Sequence, residues 1–176
     1  MDTFLLRVFQ TQVATQCHFM LRAAEDINKA LKASDTNGVF YGIQNCLNAA
    51  ANISKAFWGQ GGRFAEQRKA LRDSVGVSDD SALRYVVMRN NFEHFDERLD
   101  RWWKESKRHN YSDLNIMPAD AIAGIDETDS FRNFDPKSTD LSFWGQTFNL
   151  QDLINAVRTI LPKLEVEANK PHWDKA

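Results

Sequence analysis

A helical period of apolar residues runs through the first third of the chain with a single interruption. Apolar side chains recur at steps of three or four residues from Leu5 to Leu31 and again from Phe40 to Phe57. This spacing places them on one face of an α-helix, and Asp2 is a suitable N-cap for the first helix. The segment KASDTNG between the two runs is rich in turn and capping residues. Two long helices joined by so short a turn are expected to lie antiparallel, as in a helical bundle.

Composition indicates one folded domain over residues 1–176. The chain is 43% hydrophobic and 11% aromatic, which is enough apolar material for a substantial core and argues against disorder. The first residues lack the features of a signal peptide, and no apolar run approaches the roughly 20 residues of a membrane span. Cys17 and Cys46 lie on apolar helical faces and are expected to be buried thiols. These features predict a cytoplasmic protein with no membrane partner.

Residues 107–149 break the helical pattern. Prolines and several Asp, Asn and Ser residues occur here, so the segment is interpreted as an insertion between bundle helices. Within it, LSFWGQTF alternates weakly between apolar and polar residues, as a strand does. The preceding FRNFDPKSTD could form the other arm of a β-hairpin, with its turn at Asp135-Pro136.

The last helix begins after Asn149, which is a good N-cap, and Pro162 is predicted to kink or end it. Residues 170–176 are interpreted as a loosely held tail. The predicted fold class is therefore all-α: an antiparallel bundle of four or five helices. An irregular insertion that can include a β-hairpin precedes its last helix.

The stretch Ser81–Trp103 is predicted to form one long central helix. Leu83, Val86 and Val87 lie outside its main apolar stripe and give the first half of the helix a second apolar side. A second apolar face must be buried against a surface other than the chain's own bundle, so these three residues are predicted to line a homodimer interface. The main stripe is a sector about 100° wide that faces the core. It consists of Tyr85, Met88, Phe92, Phe95, Leu99, Trp102 and Trp103.

Three polar residues of this stretch, Arg89, Asn90 and His94, form the pattern Arg-Asn-x3-His. At average residue usage the pattern arises by chance in roughly one chain of this length in a hundred. It resembles the R-polar-x3-H signature of HEPN (higher eukaryotes and prokaryotes nucleotide-binding) domains, which are helical bundles, often dimeric, that include many metal-independent ribonucleases. The resemblance covers the six residues of the motif and, in helix order, much of the chain. It implies catalytic roles for Arg89, Asn90 and His94 and for no other residue.

These residue types suit RNA cleavage through the ribose 2′-hydroxyl. A histidine, with an ordinary pKa of roughly 6.5, can move the hydroxyl proton, and an arginine can stabilise charge on the phosphorane-like transition state. Asn90 could orient the phosphate or fix the imidazole tautomer. On an ideal helix Arg89 and His94 point about 140° apart, so one copy makes a poor pocket. The resemblance implies a homodimer in which the arginine of one chain approaches the histidine of the other.

The predicted function is a metal-independent RNA endonuclease, of the toxin or defence class, held in check by an antitoxin or other regulatory protein. The alternative is a non-catalytic helical module for dimerisation or protein interaction. In that alternative Arg89 pairs with Glu93, and His94 packs as a partly buried, hydrogen-bonded histidine. A net charge of −2 does not favour RNA binding by the surface as a whole, but it is compatible with a locally positive binding site.

Other sites are weaker candidates. No histidine has ligand-like spacing to cysteines or acids, and there is no Gly-rich phosphate loop, so neither a metal nor a cofactor is predicted. One ring of Trp102-Trp103 could stack a base. The favoured interpretation places one ring in the core and the other under the insertion.

Overall fold

Six α-helices and a small four-stranded sheet make up residues 1–172, the part of the chain that the computed structural model describes. The chain is mostly helical, at 59%, and the sheet precedes the last helix. The helices are α1 (Thr3–Lys32), α2 (Thr36–Trp58), α3 (Lys69–Val75), α4 (Met88–Glu93), α5 (Phe95–Glu105) and α6 (Leu150–Ala168). The strands are β1 (Asn115–Ile116), β2 (Asn133–Asp135), β3 (Asp140–Phe143) and β4 (Gln146–Asn149).

The two long helices at the start of the chain are antiparallel, as predicted. The Asp2 carboxylate accepts the Leu5 N–H at 3.1 Å and so caps α1. The Cys46 thiol donates to the Met20 carbonyl at 3.4 Å, and the Asn52 side chain donates to Gln16 at 3.2 Å. Residue numbers rise along α2 as they fall along α1, which is the pattern of an antiparallel pair.

The described residues form two compact units, each drawn from separate parts of the chain. Of the described residues, unit 1 comprises residues 1–25, 45–86 and 152–172, and unit 2 comprises residues 26–44 and 87–151. The polar motif and the sheet therefore belong to unit 2.

Unit 1 has a helical core that contains both cysteines. Cys17 and Cys46 are completely buried, which confirms the prediction of buried thiols. Burial raises the pKa of each thiol to about 12, and the negative charge of Glu165 adds to the rise for Cys17. Both side chains therefore stay protonated at neutral pH and act as small apolar groups.

The sheet in unit 2 contains the predicted hairpin. Strands β2 and β3 are antiparallel, with Phe134 opposite Leu141, and the Asp135 carbonyl accepts the Thr139 N–H at 2.8 Å across the turn. Two features were not predicted. LSFWGQTF contains a second hairpin, β3 and β4, which turns at Trp144-Gly145, and β1 pairs with β2 in parallel.

The last helix continues past its proline. Helix α6 begins directly after Asn149 and runs to Ala168 with Pro162 inside it, so of the two predicted effects, a kink or an end, Pro162 does not end the helix. Pro162 and Arg158 are both exposed. Proline has no backbone N–H, so the Arg158 carbonyl lacks its usual helical partner at position 162. Because this part of the helix is exposed, water can donate a hydrogen bond to that carbonyl instead. Of the predicted tail, Trp173–Ala176 lies outside the described residues, and the ring of His172 packs edge-on against Phe4 at 5.4 Å.

The stretch Ser81–Trp103 is not one continuous helix, and that prediction is wrong. Its first part, residues 81–87, consists of turns and irregular backbone, and His94 separates α4 from α5 with backbone angles of φ −99° and ψ 42°. Ser54 Oγ donates a hydrogen bond to the Arg84 carbonyl at 2.7 Å. In a continuous helix this carbonyl would accept the N–H of residue 88 instead. Ser81 Oγ accepts the Leu83 N–H at 3.3 Å, a local bond of the kind that competes with helix formation.

The breaks change which side chains are buried. Met88 and Phe92 are buried as predicted, but Tyr85, Phe95 and Trp103 are 67%, 59% and 65% exposed. Leu83 and Val86, expected at a dimer interface, are instead buried within the chain at 0% and 9% exposure. Of the three residues assigned to that interface, only Val87 is exposed, at 59%.

Candidate functional site

The three motif residues lie on and directly after the short helix α4. Arg89 and Asn90 are in its first turn, and His94 follows its last residue, at the break before α5. The His94 N–H still bonds to the Asn90 carbonyl at 3.0 Å, and its own carbonyl accepts the Arg98 N–H at 3.1 Å. His94 is thus held at both backbone groups in a non-helical conformation.

Arg89 forms a close ion pair with Glu93, one helical turn further along α4. Its side chain is 24% exposed. The Nε atom is buried, and among the described residues it has no hydrogen-bond partner. One end of the guanidinium is therefore paired with Glu93, while its Nε–H is an unused donor. An Nε–H that becomes accessible can donate a hydrogen bond to an oxyanion.

His94 is open to solvent. Its side chain is 51% exposed, and its Nδ1 lies 3.7 Å from a carboxylate oxygen of Glu97, also exposed at 65%. The alternative prediction of a partly buried, hydrogen-bonded histidine does not describe this ring. An accessible imidazole of this kind can exchange protons with a substrate.

Asn90 is exposed, whereas the next residue, Asn91, is the buried polar group of α4. The Asn91 side-chain oxygen Oδ1 accepts the Arg98 Nε–H at 3.1 Å, and its side-chain amide nitrogen donates to Gln146 Oε1 at 3.3 Å. Asn91 thus connects α4 to α5 and β4 across the break at His94. The sequence carried no signal for this role, because the helical spacing of two adjacent asparagines does not show which of them is buried.

A small cleft lies in unit 2 beside α4 and α5. Its polar wall is the Asp113–Arg132 ion pair, in which Asp113 accepts Arg132 Nε–H at 2.9 Å and the Tyr111 hydroxyl at 2.9 Å. The cleft offers about 30 Å³, which is room for water but not for a nucleobase. Its other lining residues are Asn91, Phe92, Phe95, Leu99, Phe131 and Phe143.

The Asp113–Arg132 ion pair stabilises unit 2 at neutral pH, and this stabilisation is lost in acid. Burial raises the pKa of the Asp113 carboxyl, but the hydrogen bonds and charge of Arg132 and the Tyr111 hydroxyl outweigh it and hold that pKa below its usual range. The unfolded chain therefore binds the proton more readily than the folded chain. The stabilisation is present above the unfolded carboxyl pKa of about 3.9 and is lost as pH falls through the lower folded value.

We expect Asp113→Asn to lower the melting temperature at neutral pH and to make its decline in acid less steep. Thermal unfolding between about pH 3 and pH 7 measures both effects. Asp120→Asn, at an exposed aspartate, is the matched control and should leave the acid slope as in the wild type. An unchanged acid slope in Asp113→Asn would contradict the assignment.

A larger cavity of about 250 Å³ lies in unit 1 and offers little chemistry. Its polar side chains are amides, none of which transfers a proton at neutral pH. It is lined by Leu5, Val8, Phe9, Gln12, Val13, Gln16, Asn52 and Ala56.

Residues 1–172 contain neither a metal cluster nor a membrane span. No group of three His, Cys, Asp or Glu side chains in this range could hold a metal ion. None of the described helices has the length and apolar character that crossing a lipid bilayer requires. Comparisons with protein-family models, curated proteins and solved structures found no match to this chain.

Proposed function

We propose that this protein is a HEPN-like, metal-independent RNA endonuclease whose catalytic residues are Arg89, Asn90 and His94. The observation that carries the proposal is the Arg-Asn-x3-His motif at a helix break, with His94 open to solvent and Arg89 holding an unused buried donor. A base and a cation on one short element are what cleavage through a 2′-hydroxyl needs.

In the proposed reaction, His94 removes the proton of the ribose 2′-hydroxyl. The 2′-oxygen attacks the adjacent phosphorus and forms a new P–O bond, and the P–O5′ bond breaks. Arg89 binds a non-bridging oxygen and stabilises the charge that builds on it, while Asn90 donates to the same phosphate. The leaving 5′-oxygen takes a proton from water, and the protonated His94 returns its proton to the hydroxide that remains. The products end in a 2′,3′-cyclic phosphate and a 5′-hydroxyl.

The proposal includes a homodimer with a composite site. Arg89 is engaged by Glu93 of its own chain, and His94, half exposed, lies at the break directly after α4. A second copy related by a twofold axis would supply the other half of each site. Leu83 and Val86 cannot form the contact because they are buried, but Val87 and Phe95, each 59% exposed, flank the motif and are apolar.

The alternative function, a non-catalytic dimerisation or interaction module, also has an observation in its favour. The Arg89–Glu93 ion pair is the arrangement expected when the arginine only stabilises its own helix. In that case the exposed apolar residues beside the motif bind a partner protein and no RNA is cleaved.

The proposed setting is cytoplasmic, as a toxin or defence component whose partner is an antitoxin or another regulatory protein. Such a partner would cover His94 or hold Arg89 on Glu93. Both effects would silence the enzyme until the partner is removed.

The proposal predicts that purified wild-type protein cleaves an RNA pool in the presence of a chelator. Because the 2′-hydroxyl is the nucleophile, each new 3′ end should carry a cyclic phosphate, which end-specific ligation and mass spectrometry detect. RNA with 2′-deoxy substitutions should resist cleavage and serves as the substrate control. Intact RNA over a range of pH, with no partner bound, would rule out the nuclease and favour the interaction module.

A further inference from the structure

Three rings with exposed faces cluster at the end of α5 and in the turn after it. Trp103 and Tyr111 are 65% and 51% exposed, and His109 is also exposed. The ring centroids of Trp103 and His109 lie 4.4 Å apart, and those of Trp102 and Tyr111 lie 5.4 Å apart. Large aromatic side chains usually bury most of their surface, so exposed faces in one place indicate a binding surface.

A network of hydrogen bonds, of which the Ser106–Asp129 bond is buried, holds this turn against the end of α5. Ser106 Oγ donates to Asp129 at 2.5 Å and accepts the His109 N–H at 2.8 Å. His109 adopts a positive φ of 52°, and its Nε2 lies 3.1 Å from the Trp103 carbonyl oxygen. Asp129 is fully buried and also accepts the Trp102 indole N–H at 3.0 Å. The rings are therefore positioned before any ligand arrives, which lowers the entropic cost of binding.

The same segment is locally basic in a chain whose net charge is −2. Residues 101–111, RWWKESKRHNY, contain four Lys or Arg residues and one carboxylate, Glu105. That carboxylate pairs with Arg101 at 2.8 Å. Lys104, Lys107 and Arg108 are exposed, and none of them forms an ion pair with another residue in the range 1–172. Free cations beside exposed ring faces are the two components of a surface that binds single-stranded nucleic acid.

We infer that Trp103, His109 and Tyr111, with Lys104, Lys107 and Arg108, form a stacking surface for single-stranded RNA. The inference rests on the proposed function and assigns the surface that holds its substrate. Helix α5 follows His94 directly, and its 11 residues place the stacking surface about 16 Å from the break along the helix axis. Bases a few nucleotides from the scissile phosphate stack on the rings, and the cations bind their phosphates. Single strands are favoured over duplexes, because a duplex already stacks its bases internally.

The test measures binding without cleavage. In a His94→Ala background, fluorescence anisotropy follows a labelled, unstructured RNA of about 12 nucleotides. Trp103→Ala should weaken binding about 5- to 150-fold, which is the range for loss of one stacked base. Trp103→Phe keeps a ring and should retain most of the affinity. The matched control is Tyr41→Ala, at an exposed aromatic on α2 with 70% exposure, and it should change nothing.

A second pair of variants tests the charges. Lys107→Ala with Arg108→Ala should reduce the slope of log affinity against log salt by about 0.7 for each phosphate that is no longer neutralised. Lys55→Ala with Lys163→Ala removes the same charge from exposed positions elsewhere and should leave the slope unchanged.

The results separate this inference from the nuclease proposal. Binding that depends on Trp103, from a wild type that leaves RNA intact, would support the stacking surface and exclude the nuclease. If the wild type cleaves RNA but substitution of Trp103, Lys107 and Arg108 leaves RNA affinity unchanged, the stacking surface is overturned and the nuclease proposal is not. Absence of RNA binding, or equal affinity for a duplex of the same length, would also overturn it.

Discussion

His94→Ala and Arg89→Ala should each abolish RNA cleavage while leaving the fold intact. Loss of a general base costs about 10²- to 10⁴-fold in rate, and loss of one transition-state donor costs about 10²- to 10³-fold. His94 is half exposed, so its removal should hardly change the melting temperature. Arg89→Ala removes a partly exposed ion pair one helical turn apart, and a pair of this kind is worth only a few tenths of a kcal/mol. Initial cleavage rates on a defined RNA, with melting curves, measure both effects.

Two control variants sharpen this prediction. His18→Ala removes another exposed histidine beside a glutamate, since His18 lies 3.1 Å from Glu165 and is 57% exposed, and it should cleave at the wild-type rate. Glu93→Gln frees Arg89 from its ion pair and should preserve or raise the rate. If His94→Ala and Arg89→Ala both cleave like the wild type, the motif is structural and another site is responsible.

Asp129→Ala should give the largest loss of stability among the polar residues of unit 2. Asp129 is fully buried and accepts hydrogen bonds from Trp102 and Ser106, while its carbonyl accepts the Ser112 N–H. Alanine leaves the buried Ser106 hydroxyl and the part-buried Trp102 indole N–H without their acceptor, which costs about 2 to 4 kcal/mol. Denaturant unfolding followed by tryptophan fluorescence measures the change.

Asp129→Asn is the matched control, because it keeps the oxygen that accepts both bonds. It should lose clearly less stability than Asp129→Ala. Ser106→Ala removes one donor together with the His109 hydrogen bond and should fall between the wild type and Asp129→Ala. Equal stability of Asp129→Ala and the wild type would show that this network does not hold the turn after α5.

The long helices were predictable because their apolar period is uninterrupted and their ends carry local signals. Asp2 caps α1, and Gly59 has a positive φ of 77° directly after α2. Burial of Cys17 and Cys46 followed from the same period. The β2–β3 hairpin was predictable from alternation and a turn at Asp135, whereas the two-residue strand β1 is too short to show any period.

The central stretch was not predictable from its own period, because contacts distant in sequence decide its conformation. Ser54, 30 residues before Arg84, bonds to the carbonyl that would continue the helix. Helical spacing alone therefore placed Tyr85 and Trp103 in the core, although both are exposed. The sequence identified the residue types of the motif and offered the Arg89–Glu93 pair as an alternative. Only the structure places the motif at a helix break and shows that this pair forms.

The most direct test of the composite RNA-cleaving site combines the two inactive variants in one dimer. Arg89→Ala and His94→Ala chains, carrying different tags, are co-expressed and purified over both tags. Light scattering should give twice the 20.2 kDa mass of one chain. If Arg89 of one copy acts with His94 of the other, one of the two sites is intact, and the mixed dimer should cleave RNA at about half the wild-type rate. A mixed dimer as inactive as its two parents, or only a 20.2 kDa species, would contradict the composite site.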